Sequence, residues 1–463
     1  MRRENETPRV HITSLGCPKN LVDTEAAAGS LAVDGIHFAN DPGNADIAFI
    51  STCAFIEPAR EETEAEIRNA VEWKKGGEGR KIIVAGCLVQ WDVDRAFRAE
   101  FPEVDLWLPV DEIPRLAEHV RSLFDTVSAG NASFPDAPPP PTSIVSHETP
   151  RLQLTPAHFA YLKISDGCAN NCAYCAIPSI RGVPRHRSIA SIATETANLV
   201  ENGVAEIIVA AQDTTAYRCP ETGGRLPELL RELDSIDAPL RLRLLYAHPA
   251  GVSDELAALF ADSKRLIPYI DLPLQHASDR ILAAMNRRID NRGIRAVIGK
   301  LRSANPDIAI RTTLITGFPG ETEKDFQTLL DFVGEMEFDR MGAFAYVKEP
   351  GTPAADMPDQ VPAEIAEKRR AEVMEAQAAI SLAGNERLVG EKIETVIDGF
   401  IDADTAIGRT ERDAPDIDNV VIVHSAGKLE PGTRADLEIT SAAEYHLEAR
   451  PVADGKRSKA KRR

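Results

Sequence analysis

The chain's 463 residues are enough for roughly two to four domains with substantial cores, and 43% of them are hydrophobic without any run of about twenty apolar residues, so no membrane span is expected. The formal net charge of −19 argues against a general nucleic-acid binder, whose affinity would come from a basic surface, and permits a basic partner. The opening Met1-Arg2-Arg3-Glu4-Asn5-Glu6 lacks a signal-peptide core, and the seven cysteines sit in motifs rather than a dense framework, so they read as ligands in a reducing cytoplasm rather than as disulfides.

The first part of the chain repeats one pattern. Val10 to Gly16, Asp46 to Thr52 and Lys81 to Gly86 are strand-like and run into Cys17, Cys53 and Cys87. A helical stretch follows each: Leu21 to Val33, a stretch opened by Pro58 and stopped by Gly76-Gly77, and Gln90 to Ala99. Short buried strands alternating with helices predict a parallel sheet, built here as a three-layer domain over 1–125. Sites in such sheets form outside the carboxyl ends of the strands. Each cysteine sits just past such an end, so the three converge although they are far apart in sequence. Two readings stay open: buried small hydrophobes, or three thiolates holding a metal cluster with one iron left open.

Residues 126–158 are rich in Pro, Ser, Thr and Ala, and Pro138-Pro139-Pro140-Pro141 cannot join a helix interior or central strand. They predict an extended spacer.

The central segment, 159–385, carries six strand-like runs: Phe159 to Ile164, Glu206 to Ala211, Leu240 to Leu245, Ile267 to Leu272, Ile308 to Ile315 and Met341 to Tyr346. Helical patterns such as Ile189 to Glu201, Ser253 to Phe260 and Thr322 to Met336 alternate with them. Six units predict an incomplete (β/α) barrel, with chemistry at the carboxyl ends of its strands. The first strand leads into Cys168-Ala169-Asn170-Asn171-Cys172-Ala173-Tyr174-Cys175. This spacing turns three sulfurs toward one point and leaves a fourth corner vacant. Structural zinc wants four protein ligands, borrowed here from a residue such as His158 or Cys219. An iron–sulfur cluster takes three thiolates and keeps one iron free. Cys219 itself matches no ligand position. His276 reads either as a base or as a satisfied structural histidine.

Ala363 to Leu382 is dense in helix formers and reads as a connecting helix. Beyond Gly390, the runs Lys392 to Phe400, Ile407 to Glu411, Asn419 to His424 and Ala435 to Thr440 predict a small β-barrel over 386–452. Its acids, including Glu394, Asp398, Glu411, Asp413, Asp416 and Asp418, outnumber Lys392, Arg409, Arg412, Lys428 and Arg434. Such a barrel suits a basic protein better than RNA. The tail, 453–463, is basic and expected to be disordered.

These words carry a family resemblance. The three cysteines from Cys168 to Cys175 resemble the signature of radical S-adenosylmethionine (SAM) enzymes. Ser14-Leu15-Gly16-Cys17-Pro18-Lys19-Asn20-Leu21-Val22-Asp23-Thr24-Glu25 resembles the opening of methylthiotransferases. Its Cys-Pro-Lys-Asn form resembles the ribosomal-protein branch, the RimO type, whereas the tRNA branch, the MiaB type, carries a Cys-Gln-Met-Asn-like form. The words Gln212-Asp213-Thr214-Thr215, Leu272-Pro273-Leu274-Gln275-His276 and Thr316-Gly317-Phe318-Pro319-Gly320-Glu321 are similar to the barrel of that family. The small barrel after it resembles a TRAM domain.

The resemblance implies two [4Fe-4S] clusters. One, on Cys168, Cys172 and Cys175, would bind and cleave SAM to give a deoxyadenosyl radical. The other, on Cys17, Cys53 and Cys87, would hold the sulfur. Tyr174, Asp213, Gln275, Gly317 and Gly320 are the expected SAM contacts, the glycines because they let backbone approach a ligand. No catalytic residue beyond the cluster ligands is expected. The substrate implied is an aspartate of small-subunit ribosomal protein S-twelve, free or assembled, and the product β-methylthioaspartate. The alternatives are a tRNA adenosine methylthiotransferase and, from another class, a non-catalytic zinc or redox module. A cytoplasmic monomer with no membrane partner is expected; the sulfur and electron donors are left unspecified.

Overall fold

The computed structural model describes residues 7–124, 138–427 and 429–452. The basic tail and the first part of the spacer lie outside these residues.

The N-terminal sheet has five parallel strands: β1 (Arg9–Ser14), β2 (His37–Phe38), β3 (Ile47–Thr52), β4 (Lys81–Gly86) and β5 (Leu106–Leu108), in the order β2-β1-β3-β4-β5. All six residues of the central β3 are buried, as a strand covered on both faces requires. One core, with Val10, Leu31, Phe49 and Ile83, lies on one face. A second, with Ile50, Ile67, Val84 and Phe101, lies on the other. These make the expected three layers. Helix α1 (Pro18–Val33) begins on its proline and α2 (Glu57–Lys75) carries Pro58 in its first turn. The helix expected over Gln90 to Ala99 is instead two short ones, α3 (Cys87–Trp91) and α4 (Ala96–Ala99). Asp92 breaks it: its carboxylate accepts from the N–H groups of Phe97 and Arg98 at 2.9 and 3.0 Å and so caps the second piece. Helix α5 (Leu116–Ser122) closes the domain.

The described part of the spacer, 138–158, forms no helix or strand and is strapped to both neighbours. Thr142 and Ser143 donate to Asp111. Arg151 bridges Glu25 of α1 and Glu195.

The central sheet is an open half-barrel of six parallel strands: β6 (Phe159–Lys163), then, beyond a small hairpin of β7 (Ser165–Asp166) and β8 (Arg185–His186), β9 (Glu206–Ala210), β10 (Arg241–Leu244), β11 (Leu266–Asp271), β12 (Ala309–Thr316) and β13 (Arg340–Ala345). Its order is β13-β12-β11-β10-β9-β6. Helices α6 (Ile177–Arg181), α7 (Ile189–Glu201), α8 (Leu226–Asp234), α9 (Asp254–Asp262), α10 (Asp279–Ala284), α11 (Asn291–Ala304) and α12 (Glu323–Met336) lie along the chain between these strands. Side chains alternate along each strand. Ala160, Leu162, Ile207 and Val209 join the outer core under the helices. Phe159, Tyr161, Ile208 and Tyr269 face inward, where Leu21 and Val22 of α1 pack on them. The N-terminal domain therefore covers the open side of the half-barrel.

Helix α13 (Ala363–Glu386) leads into a closed five-stranded barrel: β14 (Lys392–Phe400), β15 (Thr405–Arg409), β16 (Val420–His424), β17 (Arg434–Ala442) and β18 (His446–Pro451). The last strand has no counterpart among the expected ones. Among the described residues no helix is long and apolar enough to cross a membrane.

Candidate active site

The site grows from two strand-end loops that face each other. In the N-terminal sheet, Ser14 pairs with Ser51 and Thr52 with Gly86. The three strands thus end level; Cys53 and Cys87 follow directly, and Cys17 comes three residues after Ser14. Gly16, at φ +87°, makes the close approach possible: a Cβ there would lie 2.9 Å from the Cys53 sulfur. Burial pushes the Cys53 thiol up to about 12, and neighbouring Cys87 and Cys17 push it the same way. Burial also raises Cys87, against the opposing pull of Arg181. At Cys17 the burial effect is outweighed by Lys19, the Asn20 N–H and Arg181, and the thiol falls below its ordinary value.

The second trio sits on the loop after β7. Asn171 takes φ +50°, and the loop is pinned from several sides. Ala173 N donates to Met285 O at 3.0 Å, and Ala354 N donates to Ala173 O at 2.8 Å. Asn286 Nδ2 donates to Asn171 O at 2.9 Å. Burial pushes Cys175 up to about 12, with Cys172 and Cys168 adding to it. All seven cysteines are free thiols.

A buried ion network joins the two trios. Arg181, 2% exposed, donates to the Cys87 sulfur from Nε at 3.3 Å and Nη2 at 3.1 Å. Its Nη1 donates to Asp23 at 2.8 Å and to Asp166 at 3.0 Å. Lys163 is ion-paired with the same two carboxylates. Gln212 Nε2 donates to Asp166 at 2.6 Å. Asp23 belongs to α1, and Asp166 stands two residues before Cys168, so one guanidinium ties the two cysteine loops together. Burial alone would raise Asp166; Arg181, Lys163 and Arg185 instead hold it well below the usual carboxylate range. On the far side, Arg287, 4% exposed, points Nη1 at the Cys172 sulfur from 3.5 Å and at the Tyr174 hydroxyl from 3.4 Å. None of Asp23, Lys163, Asp166, Arg181 or Arg287 is singled out by sequence reasoning. Their role is set by contacts between distant segments, which no local spacing announces.

Two of the expected SAM contacts, Tyr174 and Asp213, lie at the second trio. Asp213 gives one oxygen to the Thr215 N–H at 3.0 Å and the other to Asn170 Nδ2 at 2.7 Å, so its carboxylate steadies the cysteine loop. Gln275 takes φ +76° and binds β12 through its backbone, donating to Thr313 O and accepting from Ile315 N. Gly317 faces α13: a Cβ there would lie 2.1 Å from the Ala366 Cβ. Gly320 accepts from Arg280. His276 Nδ1 accepts from Ser278 N at 2.9 Å, while its buried Nε2 lies 3.3 Å from Glu321 without a hydrogen bond.

The donor set fits iron–sulfur clusters better than zinc. His158, one suggested fourth ligand, is instead bound to Asp398 at 2.7 Å. Cys219 is buried in the barrel's outer core. Among the described residues, no group of three or more His, Cys, Asp or Glu side chains is drawn together to hold a single metal ion. A cluster needs its thiolates spread around a larger core, one iron to each. Arg181, Arg287 and the Asn170 N–H, which donates to the Cys168 sulfur at 3.5 Å, supply the hydrogen bonds that anionic cluster sulfurs require.

Three family models match the chain: Radical SAM superfamily over 162–333, Uncharacterized protein family UPF0004 over 9–109, and TRAM domain over 389–452. The chain is 45% identical to ribosomal protein uS12 methylthiotransferase RimO of Syntrophus aciditrophicus (strain SB), across 96% of this chain and 98% of that one. It is 42% identical to the protein of the same name from Anaeromyxobacter sp. (strain K), across 96% and 93%. Among solved structures, the radical SAM methyltransferase TsrM of Kitasatospora setae is similar with a TM-score of 0.54 and 14% identity, over 73% of each chain. The cobalamin-dependent radical enzyme OxsB is similar with a TM-score of 0.51 and 12% identity, over 81% of this chain and 58% of that one. At such identities the structural likeness concerns the fold.

Proposed function

This chain belongs to the ribosomal protein uS12 methylthiotransferase family, and from that premise we propose that it adds a methylthio group to the β-carbon of an aspartate in ribosomal protein uS12. It is a radical-SAM enzyme whose cofactors are [4Fe-4S] clusters and SAM. In the proposed assignment, Cys168, Cys172 and Cys175 hold the SAM-binding cluster, and Cys17, Cys53 and Cys87 hold the auxiliary one. An unactivated C–H bond offers no proton that a histidine or glutamate could usefully remove, so the bound cofactors supply the abstracting radical and the transferred sulfur.

The protein's own groups hold and shield this chemistry. The observation that carries the reading is the pairing of two cysteine trios across one buried ion network. Arg181, Lys163, Asp23 and Asp166 tie the two loops into one network, which supports a reading in which a carbon activated at one would meet the sulfur held at the other. The backbone pins at Ala173 and Asn171 fix the second loop against the barrel. One chain carries both trios, which supports a monomer as the working unit, and free thiols accord with a reducing cytoplasm. The tRNA reading has no support in the relatives, which carry the ribosomal-protein name.

The test uses anaerobically reconstituted enzyme with SAM, sulfide and a reductant, offered uS12 and unmodified tRNA in parallel and read by mass spectrometry. A methylthio gain on an aspartate of uS12 is expected; a gain on adenosine instead would overturn the substrate. Cys53→Ala should still cleave SAM but transfer no sulfur. A Cys53→Ala enzyme that modifies uS12 at the normal rate would remove the auxiliary trio from the reaction.

A further inference from the structure

Lys19 occupies the first turn of α1, two residues past Cys17. It is buried, with 8% of its surface exposed. Its ammonium lies 3.3 Å from the ring centre of Tyr246. Tyr246 follows β10 at the carboxyl end of the half-barrel and is held there in a left-handed conformation, φ +57°. Its N–H donates to Asp271 at 3.1 Å and its carbonyl accepts from Thr214 N at 3.0 Å. The N-terminal domain thus carries a cation into the mouth of the central one, beside the first cysteine trio.

Four other cations of the interior are paired with carboxylates, and Arg287, like Lys19, is not. Lys163 and Arg181 share Asp23 and Asp166. Arg311 holds Asp271 at 2.8 Å. Arg243 holds Glu206 at 2.7 Å. Arg287 lies against the sulfur of the second trio and donates to the Pro273 carbonyl. Among the described residues Lys19 has no carboxylate in ion-pair contact; it lies against Tyr246 and beside the Cys17 thiol. A compact, strongly hydrated ammonium is costly to bury; the Tyr246 hydroxyl, the Cys17 thiol and Asp271 favour its charge here, but no carboxylate lies in contact with it. The contact left open is one that a carboxylate arriving with the ligand would fill.

The chemistry proposed above names that anion's class. The reacting β-carbon of an aspartate is bonded directly to the side-chain carboxylate, so a cation that grips the carboxylate fixes the carbon. A grip from the Cys17 loop turns the carbon toward the first trio. We propose that Lys19 is the binding residue for the carboxylate of the substrate side chain and makes the enzyme select an acidic side chain over its amide. The proposal rests on the reading of the enzyme as a uS12 methylthiotransferase. Tyr246 walls the ammonium off from water and aims it, which strengthens its hold on an incoming anion.

The experiment measures affinity of the reconstituted enzyme for labelled uS12 and for uS12 with the modified aspartate replaced by asparagine. Fluorescence anisotropy reads binding without turnover. The unaltered enzyme should favour the aspartate form by about tenfold to hundredfold, the value of a hydrogen-bonded charge partner. Lys19→Gln should bring that ratio to near one, and Lys19→Arg, which keeps the charge, should preserve most of it. Thermal melting establishes that each variant is folded, and its iron and sulfide content that both clusters are loaded. A ratio near one in the unaltered enzyme, or an unchanged ratio in Lys19→Gln, overturns the inference and leaves the activity standing. If Lys19 served only the cluster beside it, Lys19→Gln would weaken both forms alike, which is the second of these outcomes. An unaltered enzyme that does not modify uS12 overturns the proposed function, and this inference with it.

Discussion

Arg181 concentrates the physics of the site in one side chain. A guanidinium presents several donors in a rigid fork, and here the fork is divided between a sulfur and two carboxylates. Removing one member of a buried ionic network strands the others and costs about 3–5 kcal/mol. Arg181→Met leaves Asp23 and Asp166 with Lys163 as their buried cation, so the metal-free protein should melt well below the unaltered one. On the proposed assignment the same change removes a positive charge beside Cys87 but not beside Cys172. The reduction potential of the auxiliary cluster, followed by EPR during a redox titration, should become more negative while that of the SAM-binding cluster stays put. Arg181→Lys should recover part of the potential and less of the stability, since one ammonium cannot span three partners. Equal shifts in both clusters, or none in either, would refute the role given to this residue.

At the scale of elements the chain is largely legible, because its strands are short, apolar and buried, and the residues that stop them are polar or glycine. Lys81–Gly86, Ile189–Glu201 and Lys392–Phe400 form as their patterns predict. The failures have local causes. Strand β18, HLEARP, alternates with charged residues and carries too little apolar signal to announce itself. Asp92 reads as one more helix-surface acid until its carboxylate is seen capping the next turn. Gly317 and Gly320 share φ near +74° and +80°, which is all that a turn pattern conveys. Their surroundings differ: Gly317 meets Ala366 of α13, whereas Gly320 has only the end of the Arg280 side chain nearby, at 3.5 Å. Gly320→Ala should cost roughly 1–2 kcal/mol for the left-handed backbone alone. Gly317→Ala adds the forced retreat of a helix, typically about 1–3 kcal/mol more. Urea unfolding of the two metal-free variants reads the difference. Equal midpoints would mean that α13 does not require the glycine, and would return Gly317 to a ligand-facing role.

For the whole molecule, charge is the property that sequence reading handles least well. The acids of the C-terminal barrel look like a docking face for a basic protein, but many of them are used internally. Glu394 and Glu411 pair with Arg241, Asp398 with Arg409, Asp413 with Arg340, and Asp418 with Arg311 and the Tyr269 hydroxyl. Glu391, Asp402, Asp404, Asp416, Glu430, Asp436 and Glu444 are exposed, as is Glu394 despite its pairing. Net charge counts groups and cannot tell a surface from a seam. The seam is centred on Glu206, which receives Arg243 of the half-barrel and Arg409 of the small barrel, each at 2.7 Å. Burial would raise this carboxyl, but the two guanidinium groups outweigh it and hold it at about 2, against an ordinary 4.5. A carboxyl depressed on folding gives stability that is full above its unfolded value and is lost as pH falls toward its folded one. The domain junction should therefore weaken between about pH 4.5 and about pH 2, by up to about 3 kcal/mol from this one group. Glu206→Gln tests it: the variant should be less stable than the unaltered protein at neutral pH, because Arg243 and Arg409 then lie buried with one less anion. As pH falls the parent loses the same partner by protonation, so the two unfolding curves should converge near pH 2. Parallel curves across that window would show that the junction is held by packing, and that the ion triad only fills it.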